Sequence, residues 1–558
     1  MRSAAKSGLQ RAGPDLIAGL SIAGLVLPEA LAYAGIAGVP PLSGLLAAMA
    51  GLLCYALLGT SRFAIVASTS SSAAVLASAL HSLPGVSAGQ ALEFSAAMVL
   101  MAGLLFMLCS ALRLGRMAQF IARPVVRGFT LGLAVIITAR QLAKLCGFHA
   151  THTALAPLLA ELFQRRSEWQ GASLLVGTTA LALLVLLRRW PRVPGTLAVL
   201  VFGVLAVPLL GAAGAGVALV GPIGLGMVRP QLPALDLETW FRAAELAVAL
   251  MLILFAESYG SVRSCALRHG DAINVNRELL ALGVANVAAG LFQGVPVGAG
   301  YSATATHESL GARSRYAGLT AALCVGAALC FLRAWVARIP EPILAAIVIY
   351  AMRHAVSFEP LRPYLLWKRD RSVLITAIAA VLLLGVLNGL LVGIAVSLAL
   401  LIRELTQPRL TALGRVAGNH DFVSIDAHPE VRSVPGLLIL RPEEPLFFAN
   451  VEAVLDSATA QLAIAPAVHT LVLSLEESPN LDGTAIEVLG QFAAQVAHGG
   501  RALRLARLKD PVIGVLTMAA MPGLTGPALS GASVDAVVGA LQGGIALGYR
   551  PLETRPPG

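Results

Sequence analysis

The chain is dominated by long apolar segments, which follow one another from residue 15 to residue 404. Many have roughly 17–25 residues, the length that a helix needs to cross a bilayer core of about 30 Å. The pattern predicts a polytopic α-helical membrane protein with about fourteen spans. The predicted spans are 15–37, 41–59, 64–80, 93–112, 120–143, 172–189, 194–211, 241–260, 277–295, 298–311, 316–334, 339–353, 372–388 and 389–404.

Two of these segments are short and polar, and they share one order of residues. "SRFAIVASTSSSAAVLASAL" (61–80) starts with a strand-like run, reaches Ser68, Thr69 and Ser70, and continues as a short helix. "GVPVGAGYSATATHESLGA" (294–312) also starts extended, reaches a polar turn at 300–302, and continues as a short helix. They fall in the third and tenth predicted spans. Interrupted segments at corresponding positions of two halves are the best sequence indication of a transporter binding site.

A short helix of this kind has physical consequences inside a membrane. A helix of about 12 residues is roughly 18 Å long, so it begins near the middle of the bilayer. Its free N–H groups and its dipole attract anions there. Two such helix starts facing each other predict an anion site that needs no buried positive charge. The alternative is a pair of weakly helical spans that pack through small residues.

The pattern changes after residue 405, where strand-like runs alternate with amphipathic helices. This alternation predicts a small α/β domain at 434–546, which is too polar to enter lipid and is expected in the cytosol. The predicted organisation is therefore a cytosolic N-terminus (1–13), a transmembrane domain (14–405), a linker (406–433), the α/β domain and a disordered tail (547–558).

Composition and charge agree with a membrane protein. The chain is 57% hydrophobic and only 13% charged, with a mean hydropathy of +0.79. Its net charge of +10 is explained by basic residues in alternate loops, which place both termini in the cytosol; we expect no nucleic-acid partner. The six cysteines show no CxxC spacing. No Walker, HExxH or nucleophile-elbow motif is found, so we expect no enzyme and no ATP-driven pump.

A few polar residues lie inside predicted spans. Glu29 and Glu257 are candidates to bind a proton or a sodium ion, because carboxylates inside spans are costly and usually functional. Alternatively, Glu29 marks a solvated kink at Pro28, and Glu257 lies at the cytosolic end of its span. Arg127 is expected at the cytosolic interface. His307 is expected either on the surface at the end of its helix or along the transport path.

Several motifs together resemble the sulfate permease family. "LPEALAYAGIAGVPPLSGLLAA" resembles its first span, "GTSRFAIVASTSSSAAVLAS" the third and "RPVVRGFTLGLAVIITARQLAKLCG" the fifth. "NVNRELLALGVANVAAGLFQGVPVGAG" resembles the ninth span leading into the tenth. "PGLLILRPEEPLFFANVE" and "NLDGTAIEVL" resemble a STAS domain. The resemblance covers nearly the whole chain.

The resemblance implies two inverted seven-span repeats, with a core (spans 1–4 and 8–11) moving against a gate (spans 5–7 and 12–14), and usually a homodimer. It implies an anion site between the third and tenth spans, made of Glu29, Tyr33, Ser68, Thr69, Ser70, Gly300, Tyr301 and Ser302. In a sodium-coupled bicarbonate member an acidic residue and a hydroxyl residue hold sodium, and the matching residues here are Glu257 and Ser261. No other cofactor is implied.

The chain departs from the family at two positions. Many relatives carry Ser-Arg where this chain has Ser302 and Ala303, so a fixed positive charge is missing. The third span usually carries Gly-Pro where this chain has Ala67 and Ser68. Both departures leave the identity of the anion open among sulfate, bicarbonate and dicarboxylates.

We therefore expect a secondary anion transporter of the bacterial cytoplasmic membrane, coupled to sodium or protons and moving by an elevator mechanism. Two alternatives remain at this point. The first is a membrane sensor or scaffold that does not transport and that binds a cytosolic protein through its STAS domain, where Thr484 is a candidate phosphoacceptor. The second is a nucleobase carrier on the same membrane fold.

Overall fold

The structure is a computed structural model that describes residues 2–83, 87–115, 123–150, 152, 155–190, 195–209, 216–224, 228–353, 356 and 361–543. The chain divides into two compact units, Met1–Ser397 and Leu398–Gly558. The first unit is helical apart from two short strands, and the second is a mixed α/β unit.

The first unit contains helices and strands in the following order, and the last helix continues past Ser397 into the second unit. They are α1 (Arg2–Ala37), α2 (Pro41–Leu58), β1 (Val66–Ser68), α3 (Ser70–His81), α4 (Ala88–Ala111), α5 (Arg123–Leu145), α6 (Leu155–Gln164), α7 (Gly171–Leu187), α8 (Gly195–Leu209), α9 (Leu237–His269), α10 (Val275–Leu291), β2 (Val297–Ala299), α11 (Tyr301–Ser309), α12 (Ala317–Phe331), α13 (Arg333–Val336), α14 (Glu341–Met352), α15 (Arg362–Leu366), α16 (Lys368–Leu384) and α17 (Val386–Thr406).

Among the described residues, six helices are long and apolar enough to cross a membrane by length and composition. They are the Asp15–Ala37 part of α1 together with α2, α4, α5, α9 and α17. The total of fourteen spans and the inverted repeat stay predictions.

Two alternatives about individual helices are corrected. Helix α1 continues through Pro28 to Ala37 without a break and Glu29 is buried, so the alternative of a solvated kink at Glu29 is wrong. Proline is tolerated within membrane helices because neighbouring groups satisfy the carbonyl it leaves free. Helix α9 runs well past residue 260, the predicted end of its span, to His269, so Glu257 lies in the interior of a helix.

The helices of the first unit pack in two groups. In the first group, α10 packs on α4 and α2, α4 packs on α9, and α1 packs on α2 and α12, with α3 and α11 against α1 and α9. In the second group, α5 packs on α14 and α16, and α14 also packs on α7. The strands belong to the first group, because β1 lies on α2 and β2 lies on α9.

The second unit contains a five-stranded sheet in the order β4-β3-β5-β6-β7. Its strands and helices are β3 (Leu410–Arg415), β4 (Phe422–Ser424), β5 (Leu437–Pro442), α18 (Val451–Ala463), β6 (Thr470–Ser474), α19 (Gly483–His498), β7 (Ala502–Ala506), α20 (Asp510–Ala519) and α21 (Val534–Gly543). Strands β5, β6 and β7 are parallel. One buried cluster includes residues of α18, α19 and α20, and a second includes residues of α21, so both faces of the sheet are covered.

The sheet begins earlier than the sequence predicts. Strands β3 and β4 lie within 406–433, the segment expected to be a linker, and β3 pairs with β5 in antiparallel orientation. Both are edge-side strands with few fully buried residues, so their hydrophobic pattern is weak. The predicted tail, 547–558, lies outside the described residues.

Gly51 sets how closely α2 approaches the paired strands. A Cβ atom there would lie 2.6 Å from the Val66 carbonyl oxygen and 3.3 Å from the Val297 Cβ. Overpacking of this kind typically costs about 1–3 kcal/mol. We therefore expect Gly51→Ala to lower the thermal unfolding temperature of the detergent-purified protein.

The matched control for this prediction is Gly89→Ala in α4, where a Cβ would meet nothing within 4 Å. Equal unfolding temperatures for the two variants would contradict the packing described here.

Candidate functional site

Two short strands meet where α3 and α11 begin. Strands β1 and β2 pair in antiparallel orientation, with Val66 opposite Ala299 and Ser68 opposite Val297. Helix α3 starts two residues after β1, and α11 starts two residues after β2. A Cβ atom at Gly300 would lie 3.6 Å from the Thr69 Cγ2, so the residues that precede the two helices are close together.

The two helix starts are capped differently. Thr69 precedes α3, and its hydroxyl accepts a hydrogen bond from the Ser72 N–H, completing a capping box. Gly300 precedes α11 and supplies no side-chain cap. The first N–H groups of α11 therefore have no side-chain acceptor from the cap residue, which leaves them available to an anion.

Side chains of neighbouring helices satisfy the irregular backbone around β2. The Asn286 amide accepts from the Val297 N–H at 3.0 Å and donates to the Val297 carbonyl at 2.9 Å. The Ser258 hydroxyl accepts from the Ala299 N–H at 2.9 Å. Asn286 and Ser258 are both buried. These contacts satisfy buried non-helical backbone, which would otherwise lack hydrogen-bond partners.

Two side chains of α11 form hydrogen bonds with the backbone segment that leads into β1. The Thr304 hydroxyl accepts from the Ile65 N–H at 3.3 Å. The His307 Nδ1 lies 2.8 Å from the Phe63 carbonyl and donates to it. His307 is fully buried, so the expectation of a surface position is wrong. This hydrogen bond links α11 to the segment that enters β1, and the sequence gives no signal for this long-range contact.

Gly298 is required by the close approach of β2 to α9. A Cβ atom at this position would lie 2.8 Å from the Ser258 Oγ and 3.0 Å from the Leu254 Cδ2. No side chain fits that gap. The glycine therefore lets Ser258 reach the strand backbone.

Glu257 lies at the start of α3 and not at the end of its own helix. Its Oε2 accepts hydrogen bonds from the Ser71 hydroxyl at 2.7 Å and from the Thr69 hydroxyl at 3.1 Å. A carboxylate is favoured at a helix N-terminus by the free N–H groups and the dipole. Ser71 is absent from the predicted site, although the hydroxyl-rich run of 68–72 at a helix start was a usable signal.

The remaining predicted residues of α1 and β1 are buried side chains. The Tyr33 side chain is buried, and Glu29, Glu257 and the Ser70 hydroxyl lie within electrostatic reach of its phenol. Glu29 and Ser68 are also buried, and the Ser68 hydroxyl has no hydrogen-bond partner among the described residues.

The predicted site residues on α9 and α11 differ in their exposure. Ser261 is buried one helical turn after Glu257, and its hydroxyl lies 3.5 Å from the Gly300 carbonyl. Tyr301 and Ser302 are exposed at the start of α11. Ala303, which stands where relatives often carry a positive charge, is buried.

A small cavity connects the two helix starts with the second helix group. Its volume is about 20 Å³, and its lining includes Ser71, Glu257 and Tyr301, with apolar side chains of α5 and α17. This is room for about one water molecule. Glu257 therefore faces the boundary between the two helix groups.

Comparison with known proteins assigns both parts of the chain to described families. Residues 13–380 match the sulfate permease family, and residues 428–524 match the STAS domain. The chain belongs to the sulfate permease family. It is therefore a member of a family of multi-pass membrane anion transporters, and not of enzymes.

Relatives in this family come from distant organisms. A probable sulfate transporter of Mycobacterium tuberculosis is 31% identical over 499 residues, which cover 89% of each chain. Sulfate transporter 4.1, chloroplastic, of Arabidopsis thaliana is 27% identical, with 86% of this chain and 72% of the relative covered.

Solved structures show the same fold at lower identity. The structure of SLC26A9 matches with a TM-score of 0.87 at 20% identity, covering 96% of this chain and 91% of the other. The transmembrane domain of a cyanobacterial bicarbonate transporter, BicA, matches with a TM-score of 0.62 at 23% identity, covering 69% of this chain and 97% of the other.

The hydrogen bond between Ser258 and β2 gives a stability prediction. Ser258→Ala removes the acceptor of the buried Ala299 N–H, and an unsatisfied buried donor costs about 1–3 kcal/mol. We expect a lower thermal unfolding temperature in detergent.

Ser95→Ala is the matched control, because the Ser95 hydroxyl is buried without a hydrogen-bond partner among the described residues. Its unfolding temperature is expected to stay close to that of the wild type. A Ser258→Ala variant as stable as Ser95→Ala would show that the contact does not hold β2.

Proposed function

We propose that this sulfate permease family member is a secondary active transporter of a small anion, of the sulfate, bicarbonate or dicarboxylate class, driven by protons or sodium. The observation that carries the proposal is the position of Glu257. Its carboxylate lies at the start of α3, where Ser71 and Thr69 donate to it, beside the uncapped start of α11.

The electrostatics of this arrangement favour coupling to a cation. An anion bound between the two helix starts lies close to the Glu257 carboxylate. Two like charges about 4 Å apart repel by about 4 kcal/mol at the effective dielectric of a protein surface, which corresponds to about a thousandfold in affinity. The anion therefore binds well only when Glu257 is neutralised. Symport with a cation follows from that requirement.

Both candidate cations fit the residues present. A proton neutralises Glu257 directly. Sodium prefers oxygen ligands, as hard cations do, and Glu257 and Ser261 share one face of α9 with the Gly300 carbonyl beside Ser261. Within the described residues, no group of three or more His, Cys, Asp or Glu side chains is arranged to hold a metal ion.

The packing of the helices supports an elevator-type movement. The strands, α3, α9 and α11 belong to the first helix group, while α5, α7, α14 and α16 form the second. The proposed movement carries the anion with the first group past the second. In this proposal the protein is a homodimer in a bacterial-type cytoplasmic membrane, with both termini and the STAS domain in the cytosol.

The choice among anions is part of the proposal. The mycobacterial relatives are named for sulfate, and the BicA domain is named for bicarbonate. Buried Ala303 supplies no charge to the site, which favours an anion whose binding is supported by a coupled cation. A scaffold without transport would leave Glu257 and its hydroxyl donors without a role, and the nucleobase alternative gives no reason for two anion-attracting helix starts.

The coupling role of Glu257 is tested by uptake into proteoliposomes, with the sodium and proton gradients imposed separately. We expect wild-type uptake of sulfate, bicarbonate or succinate to be stimulated by one of the two gradients. Glu257→Gln keeps the shape of the side chain and removes its titratable charge. It is expected to abolish both the stimulation and accumulation against a gradient.

Glu245→Gln is the matched control, because Glu245 is an exposed carboxylate on the same helix. It should retain the stimulation. Wild-type uptake that ignores both gradients would contradict the coupling, and a protein inert in uptake that retains a cytosolic partner through 434–546 would favour the scaffold alternative.

Ser302 tests the start of α11. Its hydroxyl is exposed in the first turn of the helix, where it is placed to donate to a bound anion. We expect Ser302→Ala to raise the KM of uptake about fivefold, since a typical hydrogen bond contributes about 1 kcal/mol. Ser309→Ala, at the other end of the same helix, is the control. An unchanged KM in Ser302→Ala would remove this helix start from the site.

A further inference from the structure

A second and larger cavity adjoins the proposed site. It has a volume of about 470 Å³ and is lined by residues of α5, α9, α11 and α15. Three of the lining residues are arginines, Arg123, Arg127 and Arg263, and none is a carboxylate. The cavity is therefore strongly positive, and it is much larger than the cavity beside Glu257.

The arginines have no carboxylate partner among the described residues. Arg263 donates to the Tyr259 hydroxyl at 2.8 Å. The guanidinium of Arg127 lies 6.0 Å from the centre of the Tyr301 ring, a cation–π distance. Arg127 is exposed and lines the cavity, and its expected position at the cytosolic interface stays a prediction.

Tyr301 separates this cavity from the site at Glu257. Tyr301, Val126 and Ala256 line both the large cavity and the small one that contains Glu257 and Ser71. Because Tyr301 is also the first residue of α11, the arginines lie next to an uncapped helix start. An anion in the large cavity is thus one side chain away from the proposed transport site.

We propose that this arginine cavity is a second anion-binding site, in which Arg127 provides from α5 the positive charge that Ala303 does not provide from α11. The ligand class is a small oxyanion or carboxylate, because a guanidinium offers a planar pair of donors that matches such groups. This inference deepens the proposed function and rests on it.

The placement of Arg127 has a consequence for binding. Arg127 belongs to α5 and the second helix group, whereas Tyr301 belongs to α11 and the first group. A movement of one helix group relative to the other changes the distance between the Arg127 guanidinium and the start of α11. The anion is therefore held more tightly in the arrangement of this structure than in one where the groups have moved apart.

Chemical protection of arginine measures occupancy of the cavity without transport. Purified wild-type protein is treated with phenylglyoxal, which modifies arginine, in the presence of sulfate, bicarbonate or succinate in turn. Mass spectrometry then follows each arginine. We expect at least one anion to slow modification of Arg127 several-fold more than that of Arg229, which is exposed in a loop. Equal effects on the two arginines with all three anions would overturn the proposal.

Variants test whether the charge of Arg127 matters. Removing one charged hydrogen-bonding partner costs about 1.5–3 kcal/mol, so Arg127→Gln should raise the KM of uptake about tenfold or more. Arg127→Lys should recover part of this loss, because it restores the charge but not the planar pair of donors. Arg229→Gln is the control. An unchanged KM in Arg127→Gln, or an equal loss in the Gln and Lys variants, would contradict the charge role.

The outcomes separate this inference from the proposed function. Protection of Arg127 in a wild-type protein that shows no uptake would overturn the transport proposal and support the cavity as an anion site. If uptake is coupled but no anion protects Arg127, and the KM of Arg127→Gln is unchanged, the proposal of an anion site in the cavity is overturned. The proposal of transport then remains. The protection experiment uses the wild type, so it holds even where a variant fails to fold.

Discussion

The structure depends on the pairing of two strands of three residues each, inside a unit otherwise built from helices. Backbone N–H and C=O groups in a membrane interior need partners within the protein. Strands β1 and β2 provide part of this for each other, and Asn286 and Ser258 provide more for β2. Once this non-helical backbone is satisfied, α3 and α11 can begin beside the strand pair; the start of α3 is capped by Thr69, and the start of α11 has no side-chain cap.

A carboxylate at that region sets the chemistry. Glu257 takes the place that an anion prefers at the start of α3, so the protein already contains a negative charge where its proposed substrate binds. Neutralisation of this charge then becomes the condition for anion binding. The arginine cavity lies on the other side of Tyr301. Its positive charge attracts the anion, which the Glu257 carboxylate alone would repel.

The sequence predicts the two interrupted helices well, because the polar runs at 68–70 and 300–302 break otherwise apolar segments. It also indicates Glu257, since a carboxylate in an apolar run is conspicuous. It does not predict the contacts of Asn286, Ser258 and His307 with distant backbone, because these depend on how helices pack. Strands β3 and β4 were missed for a related reason, since edge-side strands bury few residues.

The central claim is that an anion binds only when Glu257 is neutralised. The most direct measurement is calorimetric binding to the purified protein, using whichever of sulfate, bicarbonate and succinate binds best, over a range of pH with and without sodium. The account predicts an affinity that rises up to about tenfold per pH unit as pH falls, or that rises with sodium, and a Glu257→Gln variant that lacks this dependence. Equal affinity at every pH and sodium concentration in the wild type would contradict it.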